Sequence, residues 1–226
     1  MLLRMSPSTP PPAPADPVSG PTPRKLVSPR SWARQWLGVF GFSLVLTFAR
    51  ASLADHYVVP SGSMEPTVQV GDRILVNKAA FGWRVPFTDV WLGAPSLPER
   101  GSVIVLESPE PGPVLLKRVV ALPLDLVEVR GGCLTINGEP VPVAADLNEP
   151  GSLVEYLGPP HHIQLELDGG RDFGPRVVPA DKVLVLGDNR GNSRDGRYFG
   201  FVDVTRLRGR ALGIYARSGH PTWRSL

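Results

Sequence analysis

The chain has 226 residues, with 24 basic and 21 acidic side chains and a single cysteine, Cys133. The basic excess sits in the first 34 residues, where Arg4, Arg24, Lys25, Arg30 and Arg34 face Asp16 alone; the remainder is close to neutral. A nucleic-acid surface needs clustered cations on the folded part, so that class is excluded, and one cysteine excludes an intrachain disulfide.

Residues 1–30 contain nine prolines among Ser, Thr and Ala. Such a segment buries too little apolar surface to offset its ordering entropy, and residues 1–31 are expected to be a disordered tail. Next, "SWARQWLGVFGFSLVLTFARASLADHY" carries an apolar run of 14 residues, Trp36 to Ala49, which extends to Ala54 if Arg50 snorkels. With Trp32 and Trp36 at its entry, residues 32–54 are expected to form one transmembrane helix. The cationic flank puts residues 1–31 in the cytoplasm and the rest of the chain outside, on the cell membrane. Two other readings stay open here, a buried amphipathic helix and a secretion signal cut after "SLA".

After Tyr57 the pattern changes to short runs of Val, Ile and Leu broken by Gly and Pro. "GDRILVNK", "GSVIVLES", "VLLKRVVAL", "LVEVRGGCLTINGEPV", "DKVLVLGD" and "RGRALGIY" read as strands, with turns at "RGG" and "NG". The fold class is mainly β, with a looser, irregular insertion over 144–176 that holds some strand and a tail over 218–226. Cys133, in the hairpin-like stretch, reads as a small half-buried side chain. Four large aromatics, Phe81, Trp83, Phe87 and Trp91, lie between two strand signals. They suit either the core or a patch dipping into a lipid bilayer.

The stretch "VVPSGSMEPT" holds Ser61 and Ser63 between Pro60 and Pro66, and a serine hydroxyl needs a base before it can attack. His56, His161, His162 and His220 lie in no motif and read as surface histidines. Of the lysines, Lys25 is in the tail, and Lys78 and Lys182 sit at strand ends. Lys117 is inside "VLLKRVVALP", where burial would lower its pKa toward neutrality; an edge-strand lysine paired with an acid is the other reading. A third stretch, "GDNRGNSRDGRYFG", offers an Asp195–Arg197 pair and Ser193 as a hydrogen-bond partner for a lysine amine.

These stretches, in this order and with "VGDRILVNK" between them, resemble the type I signal peptidases, membrane-bound Ser/Lys endopeptidases, over residues 32 to 215 or so. The resemblance implies an antiparallel β catalytic core over 55–143 and 177–217 with a smaller variable β region over 144–176. It implies Ser63 as nucleophile, Lys117 as general base, and an oxyanion hole from the Ser61 hydroxyl and the Ser63 amide. It implies that Ser193 orients the lysine, that Asp195 and Arg197 form a supporting ion pair, and that Asp188 and Asn189 hold their loop. Substrates would be preprotein signal peptides with small residues at −1 and −3, cut without metal or cofactor. Val59, Pro60, Met64, Leu115 and Leu116 are the expected pocket walls. Three positions depart from the family pattern: Gly191 for an acidic residue, Gly196 for a small hydroxyl residue and Leu124 for a glycine. A self-cleaving repressor-type Ser/Lys protease would need a DNA-binding domain where this chain has a proline-rich tail. A non-catalytic membrane-anchored peptide-binding β domain would have no use for Ser63 and Lys117.

Overall fold

The computed structural model describes residues 36–44, 46–47, 53–85, 88, 90–146 and 152–226. The chain divides into two units, residues 1–42 and 43–226. In the first, residues 36–42 are helical, and the Trp36 and Phe40 rings lie 5.9 Å apart, one turn on. In the second unit residues 43–44 and 46–47 are also helical, and the helical residues 36–44 and 46–47 are labelled α1. Among the described residues no helix is long and apolar enough to cross a membrane. The rest of the expected span and Phe87 lie outside the described residues.

The second unit is built of short strands, as its β-branched and leucine-rich runs dictate. In chain order these are β1 (Ala54–Val58), β2 (Arg73–Asn77), β3 (Val103–Leu106), β4 (Leu115–Ala121), β5 (Leu126–Arg130), β6 (Cys133–Ile136), β7 (Glu139–Pro140) and β8 (Val143–Ala145). They continue with β9 (Leu153–Glu155), β10 (His161–Ile163), β11 (Phe173–Val177), β12 (Lys182–Leu186), β13 (Val202–Asp203), β14 (Leu207–Arg217) and β15 (His220–Ser225). A four-residue helix, α2 (Gly196–Phe199), follows β12. All strand pairings are antiparallel.

The main sheet has the order β1-β2-β14-β3-β4-β12-β13, with β15 also on β14. A second sheet, β11-β5-β6-β7, and a three-stranded sheet, β10-β9-β8, complete the fold. Strand β3 is buried at all four positions, because the main sheet is covered on both faces. Val103 and Val105 join Met64, Ile74 and Ile214 on one side, while Ile104 and Leu106 join Phe81, Val119 and Val185 on the other. Beyond the far end of β4, Val120, Leu184 and Leu186 pack against Val127, Val129 and Leu134 of the second sheet.

Several local expectations change. Residues 220–225, expected in a tail, form β15 against the long β14. The insertion contributes β8 to β10 as a sheet of its own. Cys133, expected half-buried, is exposed. Of the aromatic stretch, Phe81 is core, Trp83 is 55% exposed and Trp91 is stacked beneath the Arg84 guanidinium at 4.1 Å.

Candidate active site

Ser63 sits in a single 3-10 turn, Gly62–Met64, that neighbouring residues hold from below and behind. Met64 is buried in the core, and its carbonyl accepts from the Val68 amide. The Ser63 carbonyl accepts from the Asn189 amide at 3.2 Å, which ties the turn to the loop after β12. The side chain is thereby left at the floor of an open cleft. Tyr57, Val59, Pro60, Ser61, Ser63, Met64, Val114, Leu115, Leu116 and Lys117 are among the residues lining this cavity of about 370 Å³. All five expected wall residues lie in it. Ser61 is exposed at its rim in an extended conformation.

Lys117 reaches the cleft from β4, where it pairs with Ile104 of β3. Only 3% of the residue is exposed. Its Nζ donates to Ser63 Oγ at 2.6 Å and to the Leu116 carbonyl at 3.0 Å. Burial lowers its pKa from the ordinary 10.5 to about 8; Asp195 and Asp188 oppose that fall and Arg197 adds to it. The amine is therefore about one-tenth neutral at pH 7 and half neutral at about 8, far more than an ordinary lysine, and it lies within contact of an alcohol.

The loop after β12 supplies three further groups. Asp188 is buried and receives two bonds from Arg118, Nε at 2.8 Å and Nη2 at 2.7 Å, and one from the Thr67 hydroxyl at 2.5 Å. Burial alone would raise this carboxyl, but Arg118 and the hydrogen bonds hold it below the ordinary value of 3.8. The Asn189 side chain accepts from the Asn192 amide and so closes the loop. Asp195 caps α2, accepts from the Gly187 amide at 3.0 Å and forms a bidentate pair with Arg197 at 2.8 and 2.9 Å.

Ser193 is placed differently from its expected bond to the lysine. Its Oγ is buried without a hydrogen-bond partner, while Leu116 and Ser63 take the bonds of Lys117. It is nevertheless at the site: a Cβ added to Gly187 would stand 2.3 Å from Ser193 Oγ and 2.4 Å from the Ser63 carbonyl oxygen. Gly187 is thus the space that lets the loop lie on the serine turn.

Sequence reasoning passed over the residues that hold this loop. Arg118 and Thr67 anchor Asp188. Arg190 is fully buried and donates to Glu155 of β9 at 2.6 Å and to the Gly187 carbonyl at 3.1 Å. His161, expected at the surface, is buried with Nε2 3.1 Å from the same carboxylate. His56 and His220 are exposed.

A family model described as "Signal peptidase, peptidase S26" matches residues 31–216. Among curated proteins, "Signal peptidase I" of Pseudomonas aeruginosa is 36% identical over 197 residues, 78% of this chain and 69% of that protein. "Signal peptidase I" of Leptolyngbya laminosa is 34% identical over 216 residues, 92% of this chain and 87% of that one. "Signal peptidase I" of Pseudomonas fluorescens is 39% identical over 197 residues, 78% of this chain and 69% of that protein.

Proposed function

The chain belongs to the signal peptidase family, peptidase S26, and we propose that it removes signal peptides from exported preproteins through a Ser63–Lys117 dyad. The observation that carries this reading is the buried Lys117 amine 2.6 Å from the Ser63 hydroxyl, with its pKa lowered by burial.

In the proposed reaction, neutral Lys117 takes the Ser63 proton as the oxygen bonds to the scissile carbonyl carbon. The Ser63 amide and the Ser61 hydroxyl, at the cleft rim, would carry the oxyanion; one such donor is typically worth about 3 kcal/mol. Lys117 then returns the proton to the leaving nitrogen as the C–N bond breaks, leaving an ester on Ser63. Water attacks that ester and gives a proton to Lys117; the acyl C–Oγ bond then breaks, Lys117 returns the proton to Ser63 Oγ, and the peptide carboxylate leaves. Once Ser63 Oγ is acylated, the lysine loses its hydroxyl partner. The buried, unpartnered Ser193 hydroxyl is the group we assign to replace it. Metal ions and cofactors have no step in this scheme.

The cleft favours an extended peptide with small residues at −1 and −3. Its walls, Val59, Met64, Leu115 and Leu116, are apolar side chains anchored in strands or the core. Ala54, expected at the end of the span, opens β1, and for the cell we propose one span over residues 32–53 with the N-terminus cytoplasmic, on the strength of the apolar run and its cationic flank. Exposed Trp83, Val90 and Leu92 are the proposed lipid contacts of the catalytic unit.

The test is cleavage of an Ala-x-Ala preprotein by the full chain, read by mass spectrometry of the new N-terminus. Ser63→Ala and Lys117→Met should each abolish the product. Cleavage by Ser63→Ala at the wild-type rate would overturn Ser63 as the nucleophile, and no cleavage by the wild-type chain would leave a peptide-binding domain as the reading.

A further inference from the structure

The connection between β3 and β4, residues 107–114, forms one side of the cleft and is held at two places. At its base Glu107 pairs with Arg208, its amide donates to the Arg206 carbonyl at 3.0 Å, and Arg206 Nη1 donates to the Ser108 carbonyl at 3.2 Å. At its tip Glu110 is gripped by Arg194, with Nε to Oε2 at 2.7 Å and Nη2 to Oε1 at 2.6 Å, across 84 residues of sequence.

The two ends of this second contact differ in a way that gives it direction. Arg194 has its backbone held between buried neighbours, while its side chain is 65% exposed. Its neighbours Ser193 and Asp195 are both buried, and its guanidinium lies 5.5 Å over the Tyr198 ring. Glu110 stands in "SPEPGPV", between Pro109 and Pro111 and three residues before Pro113. Proline fixes φ at 109, 111 and 113, which leaves Gly112 as the one free joint between Glu110 and Pro113, so a hold on Glu110 limits how far Pro113 and Val114 can move. Those two residues line the cavity that holds Ser63 and Lys117. An exposed ion pair is ordinarily worth little, but a bidentate arginine–carboxylate fork adds geometric specificity. Here it joins the cleft wall to the loop that carries Ser193.

We propose that Glu110 and Arg194 form a clasp that fixes the Pro113–Val114 wall against the catalytic loop, making both of them positioning residues for the bound peptide. The proposal rests on the reading of this cleft as the peptide site. The clasp touches no reacting atom, so it acts on substrate affinity and leaves the chemical step alone.

The experiment is a double-mutant cycle in the full chain with Glu110→Gln, Arg194→Gln and the pair together, measuring kcat and KM on an Ala-x-Ala peptide. The same three variants are made on a Ser63→Ala background, where the dissociation constant of the uncleaved peptide is read by fluorescence anisotropy. Each single variant should raise KM about threefold with kcat little changed, and the pair should be no weaker than either single, since both delete one interaction. The dissociation constants should rise in parallel. Arg194→Lys, which keeps the charge but loses the fork, should also raise KM. Singles with wild-type KM would overturn the clasp, as would a pair whose loss is the product of the two, about ninefold. Cleavage by the Ser63→Ala chain would instead overturn the dyad, and the dissociation constants would still judge the clasp.

Discussion

Arg118 grips Asp188 by two parallel N–H···O bonds of 2.8 and 2.7 Å, with both side chains buried. One partner follows the lysine on β4 and the other opens the loop that lies on the serine turn, so the pair joins the two halves of the site. The third guanidinium nitrogen, Nη1, is used on the Gly101 carbonyl at 2.6 Å. Removing one member of a buried pair leaves an uncompensated charge, whereas removing both together leaves none. Asp188→Ala should therefore lose about 3–5 kcal/mol of stability in urea unfolding, and Arg118→Met with Asp188→Leu should lose less than Asp188→Ala alone. A loss under about 1 kcal/mol in the single variant would contradict this account.

The depressed pKa of Lys117 predicts a rate profile. The base must be neutral, so kcat/KM should climb with pH through about 8 and then level, with the slope of a single proton. Desolvation is the main cause. A substitution that wets the amine, such as Leu116→Ser, should move the midpoint upward toward the ordinary 10.5. A midpoint that stays near 8 in such a variant would assign the titration to another group.

The same shift fixes the sign of a stability effect. The unfolded chain holds the Lys117 proton up to 10.5 and the folded chain only to about 8, so between these values the unfolded state binds more protons. Stability therefore rises with pH across that window, and the contribution present above 10.5 is lost as pH falls through 8. Relative to Lys117→Met, the wild-type chain should gain about 3 kcal/mol between pH 7 and 10.5. Parallel stability curves for the two chains would show that the amine is solvated in the native state.

What the sequence made legible follows from where the information is local. The six runs read as strands are continuous apolar stretches between Gly and Pro, and such runs have few other solutions. Strand β15, "HPTWRS", is exposed at every position and carries no period, so only the length of β14 reveals it. The serine and lysine were legible because each sits in a context that its residue type resists: a serine between prolines, and a cation in an apolar strand. Arg118 carries the same signal one position later, a second cation in an apolar strand, and its acid, Asp188, lies 70 residues on. Glu155 and His161 carried none. They lie in a Gly- and Pro-rich stretch and meet Arg190 through tertiary folding alone.

Leu124 shows a departure from the family pattern at a cost. It is 72% exposed and has φ of +70°, a conformation that suits glycine and strains a branched side chain. Leu124→Gly should relieve about 1–2 kcal/mol of strain and lose somewhat less through the freer unfolded chain. A rise in the urea midpoint with unchanged activity is expected. A fall would mean that the side chain contributes packing that outweighs its backbone strain.

Gly191 departs in the opposite direction. A Cβ there would stand 1.7 Å from the Glu166 carbonyl oxygen, so the acidic residue usual at this place has no room against the chain before the Leu167–Gly169 turn. Gly191→Asp should cost about 1–3 kcal/mol, the range of overpacked interiors, and should lower kcat because Asn189 and Asn192 on either side close the loop that bears on Ser63. Wild-type stability and rate in Gly191→Asp would show that the insertion yields to the loop.

Glu155 tests whether the insertion supports the site at all. Its Oε2 accepts from Arg190 at 2.6 Å and lies 3.1 Å from His161, while Arg190 also holds the Gly187 carbonyl beside Ser193. The arginine is thus a strut between the three-stranded sheet and the floor of the catalytic loop. Glu155→Gln keeps the shape and removes the charge, leaving a buried guanidinium without its counter-ion. The expected loss is about 3 kcal/mol or more, and kcat should fall while KM for the peptide stays within twofold, because the cleft walls stand on other elements. If stability falls and kcat does not, the strut holds the insertion and has no part in placing the loop.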